Sequence, residues 1–452
     1  MSEKFFLRNQ PAVEMRGIHL DLKGLPPSSA RLLEILDLLH QARINCVLVE
    51  WEDTYPWKTY TVLRNETAYS LSTIKKFLAR AEKLGIEIIP LVQSFGHLEN
   101  VLSKRRFKYL REIPDNVSDI CPLKKGSREI ILDMIKDILL THKNIKYFHV
   151  GGDEVWSLGS CDKCKKFVQN NGKAKLYLGH IEPILEFLNK NGIRPIIWDD
   201  MMRNWNITEL KRIAKHTDLM CWSYSKDPFT FVKKETMEKF KKASCRIWAA
   251  SAFKGAEGAY VDVPNIESRT INMHQWVKYA REMKMEGVIA TGWSRYNTFV
   301  SPCEGIEASL HTLALAGKIA WDGDIPEKAS EWADAFLKHC QNQGIGTGHF
   351  QKCRQVSEEL QKNRDTAFFV FRNYLQQAHL AGEPERINPV RAKNARKAIF
   401  ELLKKVKESA REWENTHRGL VPHVWIKKYA LSRVEPVKKM KELICKLKKQ
   451  EK

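Results

Sequence analysis

No stretch of this chain approaches the roughly 20 consecutive apolar residues that a membrane-spanning helix needs, so a membrane partner is not expected. The opening segment, MSEKFFLRNQPAVEM, lacks the apolar core of a secretory leader, and a cytoplasmic and/or nuclear location is the expectation. A dense cysteine framework is missing as well: ten cysteines are scattered over 452 residues, which suits reduced thiols. Cys161-Asp162-Lys163-Cys164 is the exception. With no second pair at finger-like spacing, it makes half of a zinc site at best, and its alternative is two packed thiols in a loop. Acidic residues are in short supply, 54 against 75 Lys and Arg, giving a net charge of +21. Much of the excess falls late, with 27 Lys and Arg against 16 Asp and Glu over residues 324–452. These lysines mix with acids at helical spacing and no RNA- or DNA-binding motif accompanies them, so a solvated basic face is expected and a nucleic-acid partner is not.

What the chain does have is room and rhythm. At this length it can bury one large core and still carry a second unit. Up to about residue 320, short apolar runs alternate with longer amphipathic ones, the signature of βα repetition. Eight strand candidates stand out: Met15–Asp21, Cys46–Glu50, Ile86–Val92, Ile145–Val150, Arg194–Trp198, Leu219–Trp222, Arg246–Ala249 and Gly287–Thr291. Helical segments fill the gaps, with Ser70 and Ser127 where N-caps belong, Gly85 and Gly192 where helices stop, and Pro183 as a start or a kink in the fourth. Eight such units predict a (β/α)₈ barrel over residues 1–320. A doubly wound open sheet is the main competitor, disfavoured because chemically suggestive residues recur at nearly every strand end. Beyond it, apolar residues at helical spacing predict a helical C-terminal domain over 321–452, and no low-complexity linker separates the two.

The most informative segment is His149-Val150-Gly151-Gly152-Asp153-Glu154, an apolar strand that delivers two neighbouring carboxylates onto a glycine turn. Adjacent side chains on an extended strand point to opposite faces, so two neighbouring acids share a site only where the backbone turns. Taken in order, the strand ends supply Arg16, Glu52-Asp53, Gly96-His97, Asp153-Glu154, Trp198-Asp199, Trp222, Trp248 and Trp293. Tryptophan faces stack on the C–H-rich faces of sugar rings, and four of them at consecutive strand ends would enclose a monosaccharide.

These residues carry a resemblance. His149–Glu154 matches the His-x-Gly-Gly-Asp-Glu signature of family 20 glycoside hydrolases, the β-N-acetylhexosaminidases. The segments 15–24, 90–97, 152–159 and 248–256 resemble the hexosaminidase D branch of that family, which is nucleocytoplasmic, and the likeness covers roughly residues 14–320. The resemblance implies an exo-acting hydrolase of terminal N-acetylgalactosamine or N-acetylglucosamine that needs no cofactor or metal. It implies substrate-assisted retention, in which the sugar's own acetamido oxygen attacks C1. Glu154 would then be acid and base, and Asp153 would orient the acetamido group. Arg16 would fork onto ring hydroxyls, and His97 would support Glu154 with Asp53 or Glu52 as its partner. Trp198, Trp222 and Trp293 would line the pocket, with Asp199 and Trp248 at neighbouring strand ends, and His149 would be structural.

Two positions depart from the family pattern. Trp293-Ser294-Arg295 places a cation where many members have Trp-x-Glu, leaving Glu304 as the candidate for hydroxyl recognition. A seventh-strand tyrosine is not evident after Trp248, which leaves Tyr296 and Tyr224 as candidates to touch the acetamido carbonyl. A catalytically silent glycan-binding protein on the same barrel is the alternative, and a metal-dependent hydrolase using His149, Asp153 and Glu154 a more distant one. A homodimer is compatible with the sequence.

Overall fold

A computed structural model describes residues 2–295, 301–346, 349–378 and 388–450. Eight parallel strands close into a barrel in sequence order: β1 (Met15–Asp21), β2 (Cys46–Glu50), β3 (Glu87–Leu91), β4 (Tyr147–His149), β5 (Arg194–Trp198), β6 (Asp218–Trp222), β7 (Ile247–Lys254) and β8 (Gly287–Gly292). Because helices cover the outside and side chains fill the inside, the strands are buried on both faces and read as continuous apolar runs. In β2 the two faces separate cleanly. Cys46 and Leu48 join Ile89, Leu91, Ile196, Met220 and Ile289 in the barrel interior, while Val47 and Val49 pack into the larger core under the helices. Fully burying each of these aliphatic side chains stabilises the fold by roughly 1.5–3 kcal/mol.

The connecting helices begin and end largely where local chemistry directs. Ser70 caps helix Leu71–Lys83 by accepting from the Thr73 amide at 3.0 Å. Ser127 does not cap its helix. It is the first residue of Ser127–Leu139, and Gly126 takes the cap position at φ +96°, a conformation that a serine would resist. Pro183 neither starts nor ends its helix, which runs through from Lys173 to Lys190. Proline cannot donate to the carbonyl four residues back, at Gly179, and the Arg128 guanidinium makes that bond instead at 2.7 Å.

Two apolar clusters lie outside the barrel interior. The larger one, under the barrel helices, takes in Phe336, Leu337 and Cys340 of helix Ala329–Asn342. A separate cluster is formed by Phe350–Ala378, Pro389–Thr416 and His423–Gln450 together with Leu25. The two are bolted together at Asp262, in the segment after β7. Its fully buried carboxylate meets Arg433 at 2.7 Å and Arg364 at 2.9 Å, and Tyr429 donates a hydrogen bond to it at 2.5 Å. Trp425 adds a 2.8 Å bond to Thr67 in the segment after β2.

Candidate active site

The C-terminal ends of the strands surround a cavity of about 320 Å³. One wall is the acid pair. After His149 the chain turns through Gly151 (φ +63°) and Gly152 (φ +86°), and both positions exclude a side chain. A Cβ on Gly151 would sit 1.9 Å from the Gln93 amide oxygen, and one on Gly152 would sit 2.5 Å from the Tyr177 hydroxyl. The turn is fixed from three sides. Tyr177 donates to Gly152 O at 2.6 Å, the Gly151 amide donates to His149 Nδ1 at 3.0 Å, and the Trp198 amide donates to Gly151 O at 3.1 Å. Glu154 itself adopts φ +48°, an unfavourable conformation for a residue with a side chain and one that collects at functional sites. Its amide is held by Asp200 Oδ2 at 2.9 Å.

Asp153 is buried, whereas the Glu154 side chain is one-third exposed, and His97 reaches both. Its Nε2 lies 3.4 Å from Asp153 Oδ2 and 3.3 Å from Glu154 Oε2. Burial alone would lower the imidazole pKa, but the two carboxylates outweigh it and hold His97 well above the usual histidine range. Asp200 is pushed up to about 7, first by burial and then by the charges of Asp153 and Asp199. His149 lies on the strand, and burial drives it down to about 3, so it is a neutral acceptor. Its ring packs 4.4 Å from that of Trp198, which is completely buried and also lines the cavity.

Trp222, Tyr224 and Trp293 form the aromatic walls. Trp222 stacks on Tyr224, with centroids 5.5 Å apart and planes at 29°, and the Trp293 indole donates to the Tyr224 hydroxyl at 2.8 Å. Lys23 joins the wall beside Trp293, its ammonium 2.7 Å from Glu50 and 5.6 Å from the centre of the Trp293 ring. Burial would lower its pKa, yet Asp21, Glu50 and Glu52 together raise it, so this lysine is a permanent cation. Trp156, two residues beyond Glu154, is 78 % exposed.

Several expected site residues lie elsewhere. Arg16 is the second residue of β1 and pairs in register with Val288, so it sits at the opposite end of the barrel from Trp293. Its guanidinium is spent on the carbonyls of Val13, Glu14 and Arg43 and on the face of Trp321. Trp248 is likewise near the start of its strand, because β7 continues to Lys254. Its indole is buried inside the barrel, donating to Asp218 at 3.1 Å. Asp199 does not line the cavity. It grips Arg203 at 2.7 Å and the Trp222 amide at 3.2 Å, and so supports the wall from behind. Glu304 accepts from the Gly255 amide at 2.6 Å and shapes the loop after β7. Glu52 and Asp53 face Arg295, at 3.6 and 3.4 Å, instead of His97. Tyr296 lies outside the described residues. Sequence reasoning missed Lys23 and Asp200, although both follow strand ends by only two residues.

Residues 14–298 match the family model "Glycosyl hydrolase family 20, catalytic domain". The chain is a family 20 glycoside hydrolase. It is 35 % identical to bovine (Bos taurus) hexosaminidase D over 334 residues, covering 72 % of this chain and 96 % of that one. It is 34 % identical to human (Homo sapiens) hexosaminidase D over 335 residues, covering 72 % and 69 %. Among solved structures, a chitobiase from Flavobacterium johnsoniae shares the fold at a TM-score of 0.60 and 15 % identity, covering 97 % of this chain and 73 % of that one. A β-N-acetylhexosaminidase from Bacteroides fragilis superposes with a TM-score of 0.57 at 14 % identity, covering 75 % and 72 %. The hydrolase therefore carries the family barrel with Asp153 and Glu154 on the cavity wall.

Proposed function

We propose that this family 20 hydrolase is a retaining exo-β-N-acetylhexosaminidase that removes terminal N-acetylgalactosamine or N-acetylglucosamine by substrate-assisted catalysis. The observation that carries the reading is the juxtaposition of two unlike carboxylates, one buried and one reaching solvent, beside an aromatic-walled cavity sized for a single sugar residue. The acetamido carbonyl oxygen attacks C1 as the glycosidic C–O bond breaks, and Glu154 gives its proton to the departing oxygen. Asp153 accepts the acetamido N–H, orients the nucleophile and offsets the positive charge of the oxazolinium. Water then adds to C1 as the oxazolinium C1–O bond breaks and its electrons return to the acetamido group, while Glu154 removes the water's proton, restoring the original configuration. His97, between the two acids, holds them in register. Lys23 takes the hydroxyl-binding role left vacant by Arg16, and Tyr224 the contact to the acetamido oxygen. The scattered free thiols fit a cytoplasmic or nuclear setting, which imaging of a tagged full-length chain would test.

The decisive experiment compares Glu154→Gln and Asp153→Asn on a natural disaccharide and on an activated aryl glycoside. Glu154→Gln should cost about 10²–10⁴-fold on the disaccharide, whose alkoxide leaves poorly without a proton, and less in the first step of the aryl substrate. Asp153→Asn should impair both, because every leaving group needs the oriented nucleophile. Equal losses on both substrates for both variants would overturn the assignment, and binding of glycans without turnover by the unaltered protein would favour a silent lectin.

A further inference from the structure

The half zinc site read from Cys161 and Cys164 has its other half 40 residues upstream. Cys121 Sγ lies 3.7 Å from Cys161 Sγ and 3.5 Å from Cys164 Sγ. Glu112 brings a carboxylate oxygen into the same group, with all four ligand atoms within 4.8 Å of one another. Tetrahedral zinc with Zn–S bonds of about 2.3 Å places its sulfurs about 3.8 Å apart. A disulfide would bring two of them to about 2.05 Å and leave the third thiol and the carboxylate without purpose.

Glu112 supplies an independent indication. It is only 1 % exposed, and one of its oxygens accepts from the amides of Ser160 at 2.8 Å and Cys161 at 3.0 Å. The other oxygen is buried without a partner. An unsatisfied buried carboxylate oxygen is costly, and a cation beside it removes that cost. Cys161 is the N-cap of helix Asp162–Asn171, so Cys164 falls in the first turn, where the positive end of the helix dipole favours thiolates.

We propose that Glu112, Cys121, Cys161 and Cys164 bind one structural Zn²⁺ that ties the loop after β3 to the loop after β4. The ion takes no part in hydrolysis. It closes a scaffold already visible in hydrogen bonds: Asp119 accepts from the amide and hydroxyl of Ser157, both at 2.7 Å, and Ser118 accepts from the His97 amide at 3.1 Å. The two loops so joined carry His97 and the acid pair.

The full-length protein, prepared under reducing conditions without added metal, should contain one zinc per chain. Titration of that unaltered protein with an organomercurial should release the zinc in step with three protected thiols. Replacement by Co²⁺ should give tetrahedral d–d bands and thiolate-to-cobalt charge transfer. Cys121→Ser with Cys164→Ser should abolish both metals, whereas Cys445→Ser, at an exposed position, should abolish neither. Stripping the zinc should lower the melting temperature, and restoring it should recover the loss. The proposal is overturned by a reduced protein that takes up neither zinc nor cobalt, by a cobalt spectrum without thiolate charge transfer, by a native disulfide among the three cysteines, or by a melting temperature indifferent to zinc.

Discussion

At the scale of single residues, position along a strand decides role. Arg16 and Lys23 belong to the same βα unit, but only the lysine emerges at the end where the acids gather. Arg16→Lys should therefore leave KM unchanged while lowering stability, since an ammonium cannot span the three carbonyls that the guanidinium ties together. Lys23→Gln should raise KM severalfold. Steady-state kinetics on one substrate, with melting curves on the same preparations, checks both, and a KM defect confined to Arg16→Lys would reverse the assignment. The sequence itself places Arg16 away from the acids, because it stands second in its predicted strand and parallel strands all end on one side. Asp200 carries a pH signature. Burial and its neighbours raise its pKa to about 7, so the folded state holds this proton more tightly than the unfolded chain does. Its contribution to stability is then full below the ordinary aspartate value and is lost as pH rises through about 7. Asp200→Asn, which keeps an oxygen for the Glu154 amide, should gain more melting temperature over the parent at about pH 8 than at about pH 5. An identical difference at both would refute it.

At the scale of elements, the sequence showed the strands well where apolar residues alternate with clear breaks. Met15–Asp21, Cys46–Glu50 and Arg194–Trp198 match their predicted limits. It showed β7 poorly. Ala249, Ala250, Ser251 and Ala252 lack the branched and aromatic side chains that advertise a strand, yet small residues suit this crowded strand, with Ala250 in the barrel interior and Ala249 in the core under the helices. That misplaced end made Trp248 look like a pocket residue. Asp199 and Glu304 were misread for another reason: their partners, the Trp222 and Gly255 amides, become visible only once the loops are folded together. The turn after β4 was legible, and it tolerates little change. Gly151→Ala must take up a left-handed backbone and displace Gln93, which should cost roughly 2–5 kcal/mol and move the acids out of register. Denaturant unfolding measures the first effect and kcat the second. An alanine variant with unchanged values would mean that the turn is less constrained than its packing indicates.

At the scale of the whole molecule, barrel and C-terminal helices are joined by buried charge as well as apolar contact. Asp262→Ala removes the buried carboxylate shared by Arg364 and Arg433 and leaves only the exposed Asp365, 3.8 Å from Arg364, to offset their charge, a loss of roughly 3–5 kcal/mol. Calorimetry should show it, together with a broader or split transition, and an undisturbed single transition would show that the junction is incidental. One last feature gives the enzyme an optical handle. Of its 13 tryptophans, Trp156 is the single exposed one among the described residues, and it follows Glu154 by two positions. Water-facing indoles emit at longer wavelength and meet dissolved quenchers, whereas enclosed ones do neither. Trp222, Trp293, Trp321 and Trp332 are only half-buried, so Trp156 contributes most, though not all, of the red edge of the fluorescence spectrum, and the most quencher-accessible part of that emission comes from beside Glu154 in a protein that needs no added label.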